Sequence, residues 1–256
     1  MIKITMYLKN IFITILYLFT GLFLAAQEVT GIQADIRAMS KETDPAKIIV
    51  MKEEIIDEYA LDSLKDSETI DLLNGTIAVA FAMQKNYREY EKYIDLIKDE
   101  FTQTSILSMA ANKLLDNDID ATYACKIAKE TLERYFAFKD DPAARPEGYT
   151  KEDWERFMNF AKYPYYDTYA KALFALGKYK EALQYQQMAF DGEPEKGLPA
   201  SVERYAKLLA LNGEKERSKQ FLLKIAGMGK LNKGMTEQLE SFLFLKEEAV
   251  QILMRT

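Results

Sequence analysis

Tyr169-Ala170-Lys171 returns as Tyr205-Ala206-Lys207, Leu173 returns as Leu209, and Gly177 returns as Gly213, each 36 residues on. A constant offset of this size constrains the fold strongly. One unit of that length cannot bury its own apolar face, so successive units must stack and share a core. The spacing inside the units is helical. Ile48, Met51, Ile55 and Tyr59 form one stripe, Ile70, Leu73, Ile77 and Phe81 a second, and Tyr90, Tyr93 or Ile94, and Ile97 a third. These intervals of three and four place each set on one face of a helix, and nothing in the chain alternates as a strand would. The expected class is all-α: about five or six helical hairpins with helices of about 12–16 residues.

Start and stop signals divide the array. Asp44-Pro45 opens one helix and Asn86 caps another. Thr150 followed by Asp153 reads as a capping box ahead of Trp154, Phe157 and Ala161. All six prolines are expected between helices. The stretch from Arg145 to Trp154, with Pro142 just before it, interrupts the rhythm. The organisation expected is a leader over 1–26, divergent hairpins over 27–136, a linker over 137–150, and better-matched hairpins over 151–256. The last helix, from Met235 to Met254, closes the stack.

Segment 163–196 resembles a tetratricopeptide repeat. It carries Tyr166, Tyr169, Ala170 and Leu173, then Gly177-Lys-Tyr179-Lys-Glu-Ala182-Leu, Ala189 and Pro194. In such a hairpin, small residues at Ala170, Ala182 and Ala189 let two antiparallel helices approach, and the glycine turns the chain. Segment 199–230 is similar through Val202, Tyr205, Ala206, Leu209, Gly213, Ser218, Leu222 and Ile225, departing at Lys215 and lacking the closing proline. Segments 71–104 and 105–136 match less well; Tyr90 stands where a small residue is usual, so that hairpin is expected to pack differently. The resemblance implies a tetratricopeptide-like solenoid of α-hairpins. The order of parts also resembles the helical N-terminal region of exported bacterial thioredoxin-family proteins. The chain holds no CxxC, so no redox activity is carried over.

Lys3 and Lys9 precede an apolar run from Ile11 to Leu24, closed by Ala25-Ala26-Gln27. Basic, apolar and small residues in that order read as a signal peptide. The run is short for a membrane span. Leu24 is large for its place before a cut after Ala26, so the cleavage site stays open, as does an uncleaved anchor. The expected location is periplasmic or secreted, in a Gram-negative envelope, with no transmembrane span after cleavage. The chain has no histidine, one cysteine and one tryptophan. That excludes a histidine triad, a histidine zinc site and an internal disulfide. Cys125, in a helical stripe, is expected to be buried and inert. A net charge of −6 argues against nucleic acid as partner.

Several local patterns carry a possible site beside a plainer reading. Asp116, Asp118 and Asp120 have calcium-loop spacing, but Ala121 and Ile127 occupy positions that need Gly and Glu, so a polar turn with an Asp cap is expected. Gly229 and Gly234 have phosphate-loop spacing, but Met235 follows where Lys is required; they are expected to serve a turn. Asn74-Gly-Thr76 is a glycosylation sequon inside a helical stripe. Trp154, Phe157, Tyr163 and Tyr165 offer an aromatic platform for a sugar, with packing inside the stack the preferred reading. The repeat assigns Asp167, Lys171 and Phe174 of one first helix, and Glu203, Lys207 and Ala210 of the next, to the concave groove. With Arg204 beside them, Lys171 and Lys207 are expected to make a cationic patch for a carboxylate or acidic peptide. The competing reading is that Asp167–Lys171 and Glu203–Lys207 neutralise themselves as i,i+4 pairs. No catalytic residue, metal site or cofactor is expected. The expected function is non-catalytic binding of an unidentified protein or peptide, and the resemblance implies a role accessory to an envelope thiol–disulfide oxidoreductase. A glycan-binding helical module and a helical carbohydrate-active enzyme are the alternatives. The oligomeric state is left open.

Overall fold

The computed structural model describes residues 31–145 and 149–253. The expected leader over 1–26 lies outside the described residues. Among those described there are eleven helices, two short 3-10 turns and no strand. The helices are α1 (Ile32–Met39), α2 (Pro45–Glu58), α3 (Ser67–Met83), α4 (Tyr87–Asp95), α5 (Glu100–Asp116), α6 (Ala121–Asp140), α7 (Lys151–Ala175), α8 (Tyr179–Phe190), α9 (Pro199–Leu211), α10 (Lys215–Gly227) and α11 (Lys233–Leu253). Neighbours in sequence pack as neighbours in space.

The caps form as the residues dictate. Asp44 accepts from Ala46 N at 3.0 Å with Pro45 at the first helical position. Asn86 accepts from Glu89 N, and Thr150 from Asp153 N at 3.0 Å. Asp120 accepts from Tyr123 N at 2.8 Å. The polar-turn reading of Asp116, Asp118 and Asp120 therefore holds.

Four hairpins share one closing geometry. In α3, α5, α7 and α9 the backbone N–H three residues past the last helical residue bonds back five residues. Asn86 N meets Phe81 O at 3.0 Å, Ile119 N meets Leu114 O at 3.0 Å, Lys178 N meets Leu173 O at 2.9 Å, and Glu214 N meets Leu209 O at 2.9 Å. The residue before each donor is left-handed: Lys85 (φ 58), Asp118 (φ 51), Gly177 (φ 72) and Gly213 (φ 87). Such a turn satisfies carbonyls that the helix end would otherwise orphan. Seven positions earlier stands a fully buried alanine each time: Ala78, Ala111, Ala170 and Ala206. Its methyl leaves room for the return helix.

Three features differ from expectation. Pro164 lies inside α7, which runs unbroken for 25 residues. An internal proline costs a helical hydrogen bond. The buried Ala161, Tyr165, Tyr166 and Tyr169 on either side hold the helix through it. Second, α6 runs to Asp140, inside the expected linker; a 3-10 turn at Pro142–Ala144 follows. Third, Cys125 is part-exposed rather than buried.

The chain forms two compact units, Met1–Arg134 and Tyr135–Thr256, divided within α6. In the first, Met39, Ile48, Ile55, Leu73, Ile77 and Ala80 make a core under α1–α3. Gly75 brings α3 close to α5: a β-carbon there would lie 2.5 Å from the tip of Ile106. Tyr90 is buried with its ring edge-on to Tyr123, so this hairpin turns its large residue toward α6. In the second unit, Val202, Ala206, Leu222, Ile225, Met235 and Leu239 seal α9, α10 and α11. Gln238 of α11 donates to Ala206 O and Ser218 Oγ, each at 3.1 Å, which fixes the last helix across the hairpin.

Candidate functional site

The residues expected to line a groove lie on α7 and α9. Tyr169, Ala170, Leu173 and their partners Tyr205, Ala206, Leu209 are buried. Lys171 and Lys207, one position past the small residue, are part-exposed. So are Phe174 and Ala210. Phe174 lies against Tyr179 across the turn, with ring centroids 5.6 Å apart.

Arg204 departs from expectation. It is 8% exposed and points between the helices. Its Nη2 donates to Asp167 Oδ1 at 2.6 Å and its Nε to Gln186 Oε1 at 2.7 Å. Gln186 Nε2 donates to the same Asp167 oxygen at 2.8 Å, closing a ring that ties α7, α8 and α9 together. Arginine suits this task because its planar fork satisfies two acceptors at once. The expected patch of Lys171, Arg204 and Lys207 is therefore not formed by three open cations. A signal existed in the sequence. Arg204 falls where Thr168 stands in the preceding hairpin, and Thr168 is buried.

Glu203 is also committed. Lys207 Nζ donates to it at 2.6 Å and Asn232 Nδ2 at 2.8 Å. Burial pushes the Glu203 carboxyl up, but the bonds from Lys207 and Asn232 outweigh it and hold it below the ordinary range. The chain entering α11 is thus tied to the first turns of α9. The self-neutralising reading holds for Glu203–Lys207. Asp167 turns to Arg204 and Gln186.

The four platform aromatics do not share an exposed face. Trp154 is buried and stacks on Phe157 at 5.6 Å. Tyr165 is 1% exposed, beside Tyr135. Tyr163 is part-buried and its hydroxyl accepts from Leu198 N at 3.1 Å. Burial, then the nearby Asp167 charge, pushes its hydroxyl above the ordinary tyrosine value. Packing consumes these rings. A surface the sequence reading missed lies nearby: Tyr185 meets Tyr169 edge-on at 4.7 Å and lines a shallow concavity with Gln184, Met188 and Asp191.

The remaining motifs serve structure. Gly229 is left-handed after α10, while Gly234 lies within α11 against Glu203. Asn74 is buried within α3, where no glycan fits without unfolding the helix. Among the described residues, no group of three or more cysteines, aspartates or glutamates is placed to hold a metal ion, and no helix is long and apolar enough to cross a membrane. No family model, curated protein or solved structure matches the chain.

Proposed function

We propose that this chain is an exported, non-catalytic scaffold of tetratricopeptide-like hairpins that binds a protein or peptide in a bacterial envelope. The observation that supports it best is the common register of the four hairpins. A buried alanine seven residues before a left-handed turn recurs in α3, α5, α7 and α9, and the next residue is part-exposed each time: Val79, Asn112, Lys171 and Lys207. Within each unit, repetition of that kind presents equivalent side chains from two successive first helices, which suits a short extended segment of a partner. On α7 and α9 the candidate contacts are Lys171, Phe174 and Lys207. Arg204 positions these helices instead of facing the partner. The resemblance to helical regions of thioredoxin-family proteins suggests an envelope oxidoreductase as the partner class.

The test is affinity capture from an envelope extract, comparing the protein with a Lys171→Ala, Phe174→Ala, Lys207→Ala variant of matched helicity. A polypeptide recovered several-fold better by the unsubstituted protein is expected. Equal recovery removes the groove from the reading. Cell fractionation with N-terminal sequencing checks export, and recovery of uncleaved chain in the cytoplasm overturns it.

A further inference from the structure

Two helix faces carry charge that works against the helices themselves. The exposed face of α2 holds Glu53, Glu54, Asp57 and Glu58 around Val50. All four acids lie in its second half, and its last turn has no base. Acids there add to the negative end of the helix dipole, and Glu53–Asp57 and Glu54–Glu58 are like-charge i,i+4 pairs. Among the described residues, no cation is within ion-pair distance of Glu54, Asp57 or Glu58; Glu53 has Lys52 at 3.9 Å. The following loop extends the surface. Asp62 accepts from Leu64 N and Lys65 N, both at 2.9 Å, which holds the Leu64 side chain out at 80% exposure.

The exposed face of α10 is the opposite case. Lys215, Arg217 and Lys219 crowd its start, where the helix dipole is positive, and outnumber the acids Glu214 and Glu216 there. Arg217 pairs with Glu214 at 2.6 Å, whereas Lys215 and Lys219 have no ion pair among the described residues. Leu223 is exposed one turn on from Lys219, and Met228 is exposed at the far end of the helix. A local conflict of this kind is tolerated where a partner relieves it. The two faces are opposite in net sign: acids outnumber bases over the second half of α2, and bases outnumber acids over the start of α10.

We propose that the α10 face docks on the α2 face of a second copy of this chain. Charge complementarity selects this occupant. An anionic lipid surface would match α10 and leave the conflict on α2 unrelieved, whereas a second copy relieves both. The acidic excess of the chain also lies within 31–134, the part that holds α2, so the acidic face sits in the more negative part of the molecule. The contact is heterologous, so it builds head-to-tail chains or a closed ring. It involves neither Lys171 nor Lys207 and stands apart from the proposed groove.

Sedimentation velocity of the purified protein over a concentration series tests it. Association at low salt is expected to weaken about tenfold or more on moving from roughly 50 to 500 mM salt. Glu54→Lys with Glu58→Lys, and Lys215→Glu with Lys219→Glu, each abolish association alone, and an equimolar mixture of the two restores it. That rescue also shows both variants to be folded. Should either fail to fold, the corresponding Gln substitutions weaken association several-fold. A protein that stays monomeric at all concentrations overturns the proposal. So does association that neither pair of substitutions alters. Monomer that instead floats with phosphatidylcholine vesicles containing about 30% phosphatidylglycerol overturns it in favour of an anionic surface.

Discussion

Arg204 and Asp167 show how much one buried pair decides. Both side chains are almost fully withdrawn from solvent, and Gln186 completes their hydrogen bonding. Arg204→Ala leaves a buried carboxylate without its cation and is expected to cost about 3–5 kcal/mol, read as a fall in the urea midpoint. Asp167→Leu with Arg204→Met removes both charges and is expected to recover most of that loss. A second expectation concerns Lys85, which holds φ 58 where Gly177 and Gly213 take equivalent turns. A side chain in that conformation is strained. Lys85→Gly is expected to stabilise by about 0.5–1 kcal/mol and Gly213→Ala to destabilise by a similar amount, both measurable by urea unfolding.

Between elements, two close approaches join α3 to α5 and α4 to α6. Gly75→Ala gains helix propensity but drives its methyl into Ile106, which is itself buried. Overpacking of this kind costs about 1–3 kcal/mol. Net destabilisation is expected, relieved in part when Ile106→Val removes the nearest carbon, Cδ1, with urea midpoints as the check. Tyr87 and Tyr123 stack at 3.6 Å, and the Tyr87 hydroxyl donates to Asp120 Oδ2 at 2.9 Å. Burial, then the Asp120 bond, pushes the Tyr87 hydroxyl up to about 12. The Tyr123 N–H is the main cause that holds the Asp120 carboxyl below its ordinary value. The signs are opposite. Stability from Tyr87 is complete below the unfolded tyrosine value near pH 10 and is lost as pH rises through about 12. Stability from Asp120 is complete above about pH 4 and is lost as pH falls through its depressed native value. Tyr87→Phe is expected to flatten the alkaline limb of a stability–pH curve, seen in urea midpoints from about pH 9 to 12.

At the scale of the whole chain, each unit owns a core. The sole tryptophan, Trp154, belongs to the unit Tyr135–Thr256. Its fluorescence therefore reports that unit, while far-UV dichroism reports both. Leu73→Ala, in the core under α1–α3, is expected to cost about 2–5 kcal/mol. It should move the dichroism transition and leave the Trp154 transition in place. A common shift of both signals would show that α6 couples the units into one cooperative fold.

Helix starts were legible because a cap is a local event. Asp44, Asn86 and Thr150 find their donors within three residues, so the sequence holds both partners side by side. The hairpin period was legible for a similar reason: an alanine, a leucine and a turn residue at set spacing specify one close approach. By itself, the sequence determined an all-helical chain of hairpins. Tertiary structure alone decided which polar side chains were spent inside it. Pro164 stays helical because flanking burial outweighs one lost hydrogen bond, and the division falls within α6 because Tyr135 packs against Tyr165 and Tyr166. Arg204 turned inward because its partners, Asp167 and Gln186, lie on other helices, 37 and 18 residues away. Such a pairing is energetic only once three helices have met, and no local periodicity encodes it.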